Sequence, residues 1–157
     1  MKRFCAALVL LLAACSSSDS LKPPSRTFEA GSGSDIDVQL IGQSTAMVMF
    51  ARGGDLPQQI SFQFLVSNNS DAELTVKKIM VYQHGAAPIQ LETALAGFDT
   101  TIAPGHDAQF RVNATARQTR AARQGDDASI GLKADVTLTN GDSYVYAFDL
   151  PVSLAPQ

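Results

Sequence analysis

Ile130-Gly131-Leu132-Lys133-Ala134-Asp135-Val136-Thr137-Leu138, then Thr139-Asn140-Gly141, then Tyr144-Val145-Tyr146-Ala147-Phe148-Asp149-Leu150-Pro151-Val152, is the part of the sequence whose reading decides the fold. Apolar residues hold every second position from Ile130 to Leu138 and again from Tyr144 to Val152. That period puts alternate side chains on opposite faces, so each run reads as a half-buried strand. Asn140-Gly141 suggests a tight two-residue turn between them. Parity argues against it. A two-residue loop pairs Val136 with Val145 and sets the Tyr144, Tyr146, Phe148 face against Lys133, Asp135 and Thr137. A three-residue loop, Thr139 to Gly141 with Gly141 left-handed, pairs Val136 with Tyr144 and Leu132 with Phe148. One face is then apolar throughout, so the bulged turn is expected. Pro151 has no N–H for a ladder, which predicts an edge or a kink at the end of this strand.

The same period runs back through the chain. Ile36, Val38 and Leu40 alternate with polar residues, a second run covers Thr45 to Phe50, and Ile60, Phe62, Phe64 and Val66 form the next clean alternation. Ser67-Asn68-Asn69-Ser70-Asp71 is dense in turn formers. Leu74 to Tyr82 follows, with its apolar phase slipping at Lys77-Lys78, the mark of a β-bulge that keeps both halves on the core. Shorter runs lie at Ile89–Glu92 and Phe98–Ile102, and Phe110, Val112 and Ala114 resume the alternation. About seven to nine short strands without helical periodicity predict an all-β fold, an antiparallel β-sandwich. The runs Ile60 to Val66, Leu74-Thr75-Val76, Ile102-Ala103-Pro104-Gly105 and Phe110-Arg111-Val112 resemble those of immunoglobulin-like or fibronectin-like domains in bacterial envelopes. The chain has no Trp, and its cysteines stand only at positions 5 and 15, so the antibody hallmarks are missing. Counting each strand as one crossing places Gly53-Gly54, His84, His106 and Asn140-Gly141 at the pole where the chain enters. Gly42–Ser44, Ser67–Asp71 and a loop at Ala116–Ala128 then fall at the other.

The N-terminus carries an address. Met1-Lys2-Arg3 is positive, Phe4 to Leu12 is apolar, and Ala13-Ala14 are small, which is a secretory signal pattern. The apolar run is well short of the roughly 20 residues that span a bilayer. Leu12-Ala13-Ala14-Cys15 resembles the lipobox of bacterial lipoproteins position by position. The resemblance implies cleavage after residue 14, acylation of Cys15 and a membrane anchor in the cell envelope. Ser16, where an Asp would favour inner-membrane retention, points to the outer membrane if the cell has two. Residues 15–34 have linker composition, with a root-mean-square reach of roughly 25 Å from Ser16 to Ser34. The sandwich is expected over 35–157. Cleavage removes Cys5, Lys2 and Arg3, leaving 10 basic against 15 acidic residues and no thiol beyond Cys15. A net acidic domain is a poor ligand for nucleic acid, whose phosphates call for surplus Lys and Arg.

Candidate sites are few. Arg117, Arg120 and Arg123 recur at three-residue spacing and could form a basic face for an anionic partner, or be a solvated loop balanced by Asp126 and Asp127. Met47, Met49, Met80 and His84 supply soft ligands for copper(I), although methionine in a β-run also serves as core filling. His84 and His106 lack a third ligand for zinc, and neither Asp35 with Asp37 nor Asp126 with Asp127 has EF-hand spacing. No nucleophile elbow, zinc-protease motif or phosphate loop is present, so no catalytic residue and no cofactor are assigned. The sequon matches at Asn68 and Asn113 are chance in a bacterial lipoprotein. The expected function is a membrane-anchored envelope lipoprotein whose domain binds or assembles with an envelope protein. A small-ligand or copper-binding lipoprotein is the alternative, and an enzyme the third reading.

Overall fold

In a computed structural model, which describes residues 26–31, 33–43, 48–50, 57–85, 87, 89–119 and 129–154, the chain is all-β, with no helix among those residues. Its strands are β1 Thr27–Glu29, β2 Ile36–Gln43, β3 Val48–Phe50, β4 Gln58–Asn68, β5 Leu74–Gln83, β6 Ile89–Leu91, β7 Ala94–Ile102, β8 Asp107–Gln118, β9 Ser129–Leu138 and β10 Ser143–Leu154. One sheet has the order β2-β4-β8-β6, and the other β1-β10-β9-β5-β7 with β3 also on β10. The period-2 residues make the core between the two sheets: Phe62, Phe64 and Val66 of β4 and Leu132, Ala134 and Val136 of β9 are wholly buried. Each large apolar side chain removed from water contributes about 1.5–3 kcal/mol, and the described residues include no cysteine that could add a disulfide to that sum.

The parity argument holds. Val136 lies opposite Tyr144 and Leu132 opposite Phe148, Gly141 has φ +92°, and the Leu138 N–H donates to the Asp142 carbonyl at 2.8 Å. The slip in β5 is also where expected. Its register shifts between Val76 and Lys78 against both neighbours, with Lys77 and Lys78 exposed and Val76 and Ile79 buried. Pro151 is exposed on a stretch of β10 between its contacts with β1 and β3.

Several expectations need correction. The second sheet is mixed, because β1 and β3 run parallel to β10. Each is three residues long and pairs with a strand far away in sequence, so neither leaves a hairpin signal. β1 lies inside the stretch read as linker, and ordered pairing begins by Arg26, whose carbonyl accepts from the Ser143 N–H at 2.8 Å. The loop read as starting at Ala116 is still strand to Gln118, because Ala114 and Ala116 are buried and pair with Ile60 and Gln58 of β4.

The poles change too. Asn68 donates its N–H to the His106 carbonyl, Asn69 to Asp35 and Thr139 to Thr75, so Ser67–Asp71 lies at the N-terminal pole with His106 and Asn140-Gly141. His84, whose N–H donates to Gly131, lies at the far pole with Glu92, Gln118 and Ser129. The count failed at two places. β3 runs alongside the far end of β10 and does not carry the chain back across. β6 and β7 share one crossing, starting beside β8 and switching at Glu92-Thr93 to the sheet of β5.

Candidate functional site

The N-terminal pole is built around two buried polar side chains. Asn68, 1% exposed, donates from Nδ2 to the carbonyls of Ala72 (2.7 Å) and Ile102 (2.9 Å). Its Oδ1 accepts from the Ser70 N–H (3.0 Å) and hydroxyl (2.7 Å). Both donors and both acceptor sites are used, tying the end of β4 to the following turn and to the end of β7. The sequence marks Asn68 only as a turn former; its burial between β4 and β7 becomes apparent once the sheets are assembled.

Asp142 is the second. It accepts from the Arg26 N–H (3.1 Å) on Oδ1, and from Arg26 Nη2 (3.4 Å) and Asn140 Nδ2 (3.0 Å) on Oδ2. Phe28 stacks on Tyr144 with ring centroids 5.1 Å apart, and the Arg26 guanidinium lies 5.4 Å from the Phe28 ring. The Asp35 carboxylate lies close enough to the Tyr144 phenol for its charge to act on it. These contacts hold β1 against the last strand and determine where the N-terminal segment leaves the body.

Burial raises the Tyr144 phenol above its ordinary value near 10; the charges of Asp35 and Asp142 raise it further, and Arg26 lowers it in part. The neutral phenol is therefore favoured by folding. Its contribution to stability is complete below the unfolded value near 10 and is lost as pH rises through the higher folded value. In an alkaline titration followed by tyrosinate absorbance, Tyr144 should give a late step, above the ordinary phenol value near 10. Tyr144→Phe should abolish that late step and flatten the alkaline loss of stability. An unchanged titration would remove the assignment.

The far pole has a different character. A concavity of about 380 Å³ opens beside β6, lined by Gln83, Gln90, Thr93 and Thr119 over Ile89 and Leu91. Gln83 braces it: its Nε2 donates to the Ile89 carbonyl (3.1 Å) and its Oε1 accepts from the Leu91 N–H (2.8 Å), so a side chain joins β5 to β6. Arg117, exposed on β8, donates to Glu92 at 2.8 Å. Arg120 and Arg123 lie outside the described residues. The geometry is that of a polar, uncharged recess with a charge pair beside it, suited to hydrogen-bonded contact.

The soft-ligand residues are not brought together. Met80 is half-buried on the outer face of β5, opposite Leu95 and Asp135, while Met49 is in β3, on the far side of β10 and β9 from β5. At a strand spacing of about 4.8 Å, three strand steps separate these backbones by roughly 14 Å. Met47 lies outside the described residues, as does the Met49 side chain. His84 is exposed and packs on β9, where a Cβ at Gly131 would stand 2.7 Å from its Nε2. Among the described residues no group of three His, Cys, Asp or Glu side chains could hold a metal ion. Cys15, Asp126 and Asp127 also lie outside the described residues.

No protein-family model matches the sequence, and no curated protein matches it. Solved structures with partial overlap include the alkylpurine DNA glycosylase AlkC of Pseudomonas fluorescens bound to DNA containing an abasic site analog. It is 13% identical with a TM-score of 0.40, over 79% of this chain and 32% of that one. The sporulation control protein Spo0M of Bacillus subtilis is 12% identical with a TM-score of 0.47, over 78% of this chain and 51% of that one. A conjugative transposon lipoprotein of Bacteroides eggerthii is 14% identical with a TM-score of 0.37, over 74% of this chain and 96% of that one. The chain thus spans about a third of the first and half of the second. With TM-scores under 0.5, these likenesses identify no family for this chain.

Proposed function

We propose that this chain is an envelope lipoprotein, acylated at Cys15, whose immunoglobulin-like sandwich presents its far pole to a protein partner without catalysing a reaction. The strand order supports the fold reading. With β1, β3 and β7 set aside, the remaining strands in chain order place first, second, fifth and fourth in one sheet and third, sixth and seventh in the other. That is the connectivity of a seven-stranded immunoglobulin domain. β3 and β7 are then additions at the outer edges of the second sheet.

The observation that carries the orientation is the fastening of Arg26 and β1 to Asp142 and Tyr144 at the N-terminal pole. On the lipoprotein reading, the N-terminal pole faces the membrane and the Gln90, Thr93, Arg117 surface faces away. The anchor is tested by Cys15→Ser, which should move the protein from the membrane fraction to the soluble one; retention equal to the parent chain would refute it. The orientation is tested by a photo-crosslinker at Gln90, which should capture an envelope protein, whereas one at Asp71 should not. The reverse pattern would overturn it.

A further inference from the structure

We propose that Asn140 is a site of spontaneous deamidation in the folded chain, through an imide closed with Gly141, and that its conversion unfastens Arg26 and β1 from the body. The chain has four asparagines, and only Asn140 precedes a glycine. Asn68 is buried with its amide fully in use. Asn69 and Asn113 are exposed, but each precedes a residue whose Cβ crowds the nitrogen that would attack. Gly141 has no Cβ, and its φ of +92° marks the left-handed position of the turn.

The turn assembles the reacting groups. Asn140 is exposed, and its Oδ1 accepts from the Asp142 N–H at 2.9 Å. The ring closed by that bond contains both the Asn140 Cγ and the Gly141 nitrogen, the two atoms that must join. The same N–H faces the oxygen on which negative charge develops, as an oxyanion donor does. The leaving nitrogen, Nδ2, donates to Asp142 Oδ2 at 3.0 Å. One bond restrains the reaction: the Gly141 N–H donates to the Leu138 carbonyl at 3.0 Å. Exposed turns open at little cost in free energy, and hydroxide can then take the Gly141 proton. The nitrogen adds to Cγ, the Cγ–Nδ2 bond breaks, and ammonia leaves with a proton from water, which returns the hydroxide. Water then opens the imide at either carbonyl. One opening gives aspartate; the other gives an isoaspartyl link, which lengthens the main chain by a methylene.

Either product removes the Nδ2 donor and sets an oxygen against Asp142 Oδ2. Asp142 is 8% exposed, so a second carboxylate beside it is poorly screened. The isoaspartyl link also lengthens the short loop whose closure places the Leu138 N–H on the Asp142 carbonyl at 2.8 Å. Asp142 holds both the Arg26 N–H and its guanidinium, so disturbing it frees the start of β1. Arg26 attracts the new carboxylate too, but its side chain is 70% exposed and water weakens that pull. On the lipoprotein reading the tether then gains the residues of β1. The inference depends on neither the anchor nor the partner.

The test ages the full folded chain at mildly alkaline pH, with three references: the same chain at mildly acidic pH, the same chain unfolded in guanidinium chloride, and the variant Asn140→Gln, whose longer side chain closes the ring far more slowly. In the tryptic peptide that begins at Ala134, mass spectrometry should show the Asn140 amide replaced by a carboxyl, partly as isoaspartate. The folded rate should lie within about tenfold of the unfolded one, the cost of opening an exposed turn. Brief trypsin treatment of the aged folded chain should then cut after Arg26 at least about threefold faster than in the fresh chain, because cleavage tracks the open population. Cutting after Lys133, inside β9, should stay slow, which separates local release from unfolding. The acid-kept chain and the Asn140→Gln variant should change in neither readout, each against its own fresh sample. Conversion more than about tenfold slower in the folded chain than in the unfolded one would overturn the proposal. So would a converted chain whose cleavage after Arg26 is unchanged, or one in which cleavage after Lys133 rises equally.

Discussion

Asn68→Ala should lower stability by about 2–4 kcal/mol, because the truncation leaves the buried Ile102 carbonyl and the part-buried Ser70 N–H unpaired at once. The Ile102 carbonyl and the Ser70 N–H lose this partner, whereas the Ala72 carbonyl keeps the Ser70 hydroxyl at 3.0 Å. The Ile102 bond is buried, so water cannot readily replace it. In urea, the midpoint should fall by roughly 2 M with the slope unchanged. A loss under 1 kcal/mol would mean that the turn is held by its backbone alone. Asn68→Asp distinguishes geometry from charge. It keeps an acceptor for Ser70 but sets a carboxylate against the Ala72 and Ile102 carbonyls. Burial and those dipoles disfavour the ionised form, so the folded-state value of the introduced acid rises above the unfolded 3.9 or so. The penalty of this variant is therefore smallest below about pH 4 and grows as pH rises through the folded value. The parent chain should show no such slope from this position.

That residue also shows where sequence reasoning ends. The hairpin register, the bulge at Lys77-Lys78 and the left-handed Gly141 were legible because each follows from parity over a few neighbouring positions. Asn68, Asp142 and β1 depend on partners 34, 116 and 116 residues away. A local period carries no information about such pairs. Thr27-Phe28-Glu29 is too short to alternate and is mostly exposed, so it reads as linker until Tyr144 and Asp142 are seen beside it. Crossing direction is non-local in the same way. The sequence shows that 48–50 and 89–91 are strand-like, but only pairing with β10 and β8 reveals that neither makes a full crossing. Of the candidate site residues, Arg117, Met80 and His84 could be picked out by type, yet nothing in their spacing said that they lie on separate strand ends or faces.

Phe62→Ala should cost about 3–5 kcal/mol and lower the melting temperature by roughly 10–15 °C. Phe62 is fully buried on β4, and Phe148 reaches it from the opposite sheet edge-on, with centroids 5.7 Å apart at 72°. Phe148 meets Phe64 in the same way at 5.8 Å and 73°, so one ring of β10 sits against two of β4. This contact joins the two sheets, in a domain with no cross-link to share the task. Phe62→Leu keeps much of the volume but loses the edge-to-face geometry, and should cost no more than about half as much. Phe28→Ala provides the contrast. Its ring also stacks on an aromatic, but it is 36% exposed at the sheet edge, so about 1 kcal/mol or less is expected. The decisive measurement is the double cycle of Phe62→Ala with Phe148→Ala, where rings in direct contact should couple by about 0.5–1.5 kcal/mol. If the two losses add to within about 0.3 kcal/mol, the aromatic contact does not couple the sheets, and the stability lies in the aliphatic core of β5 and β9 instead.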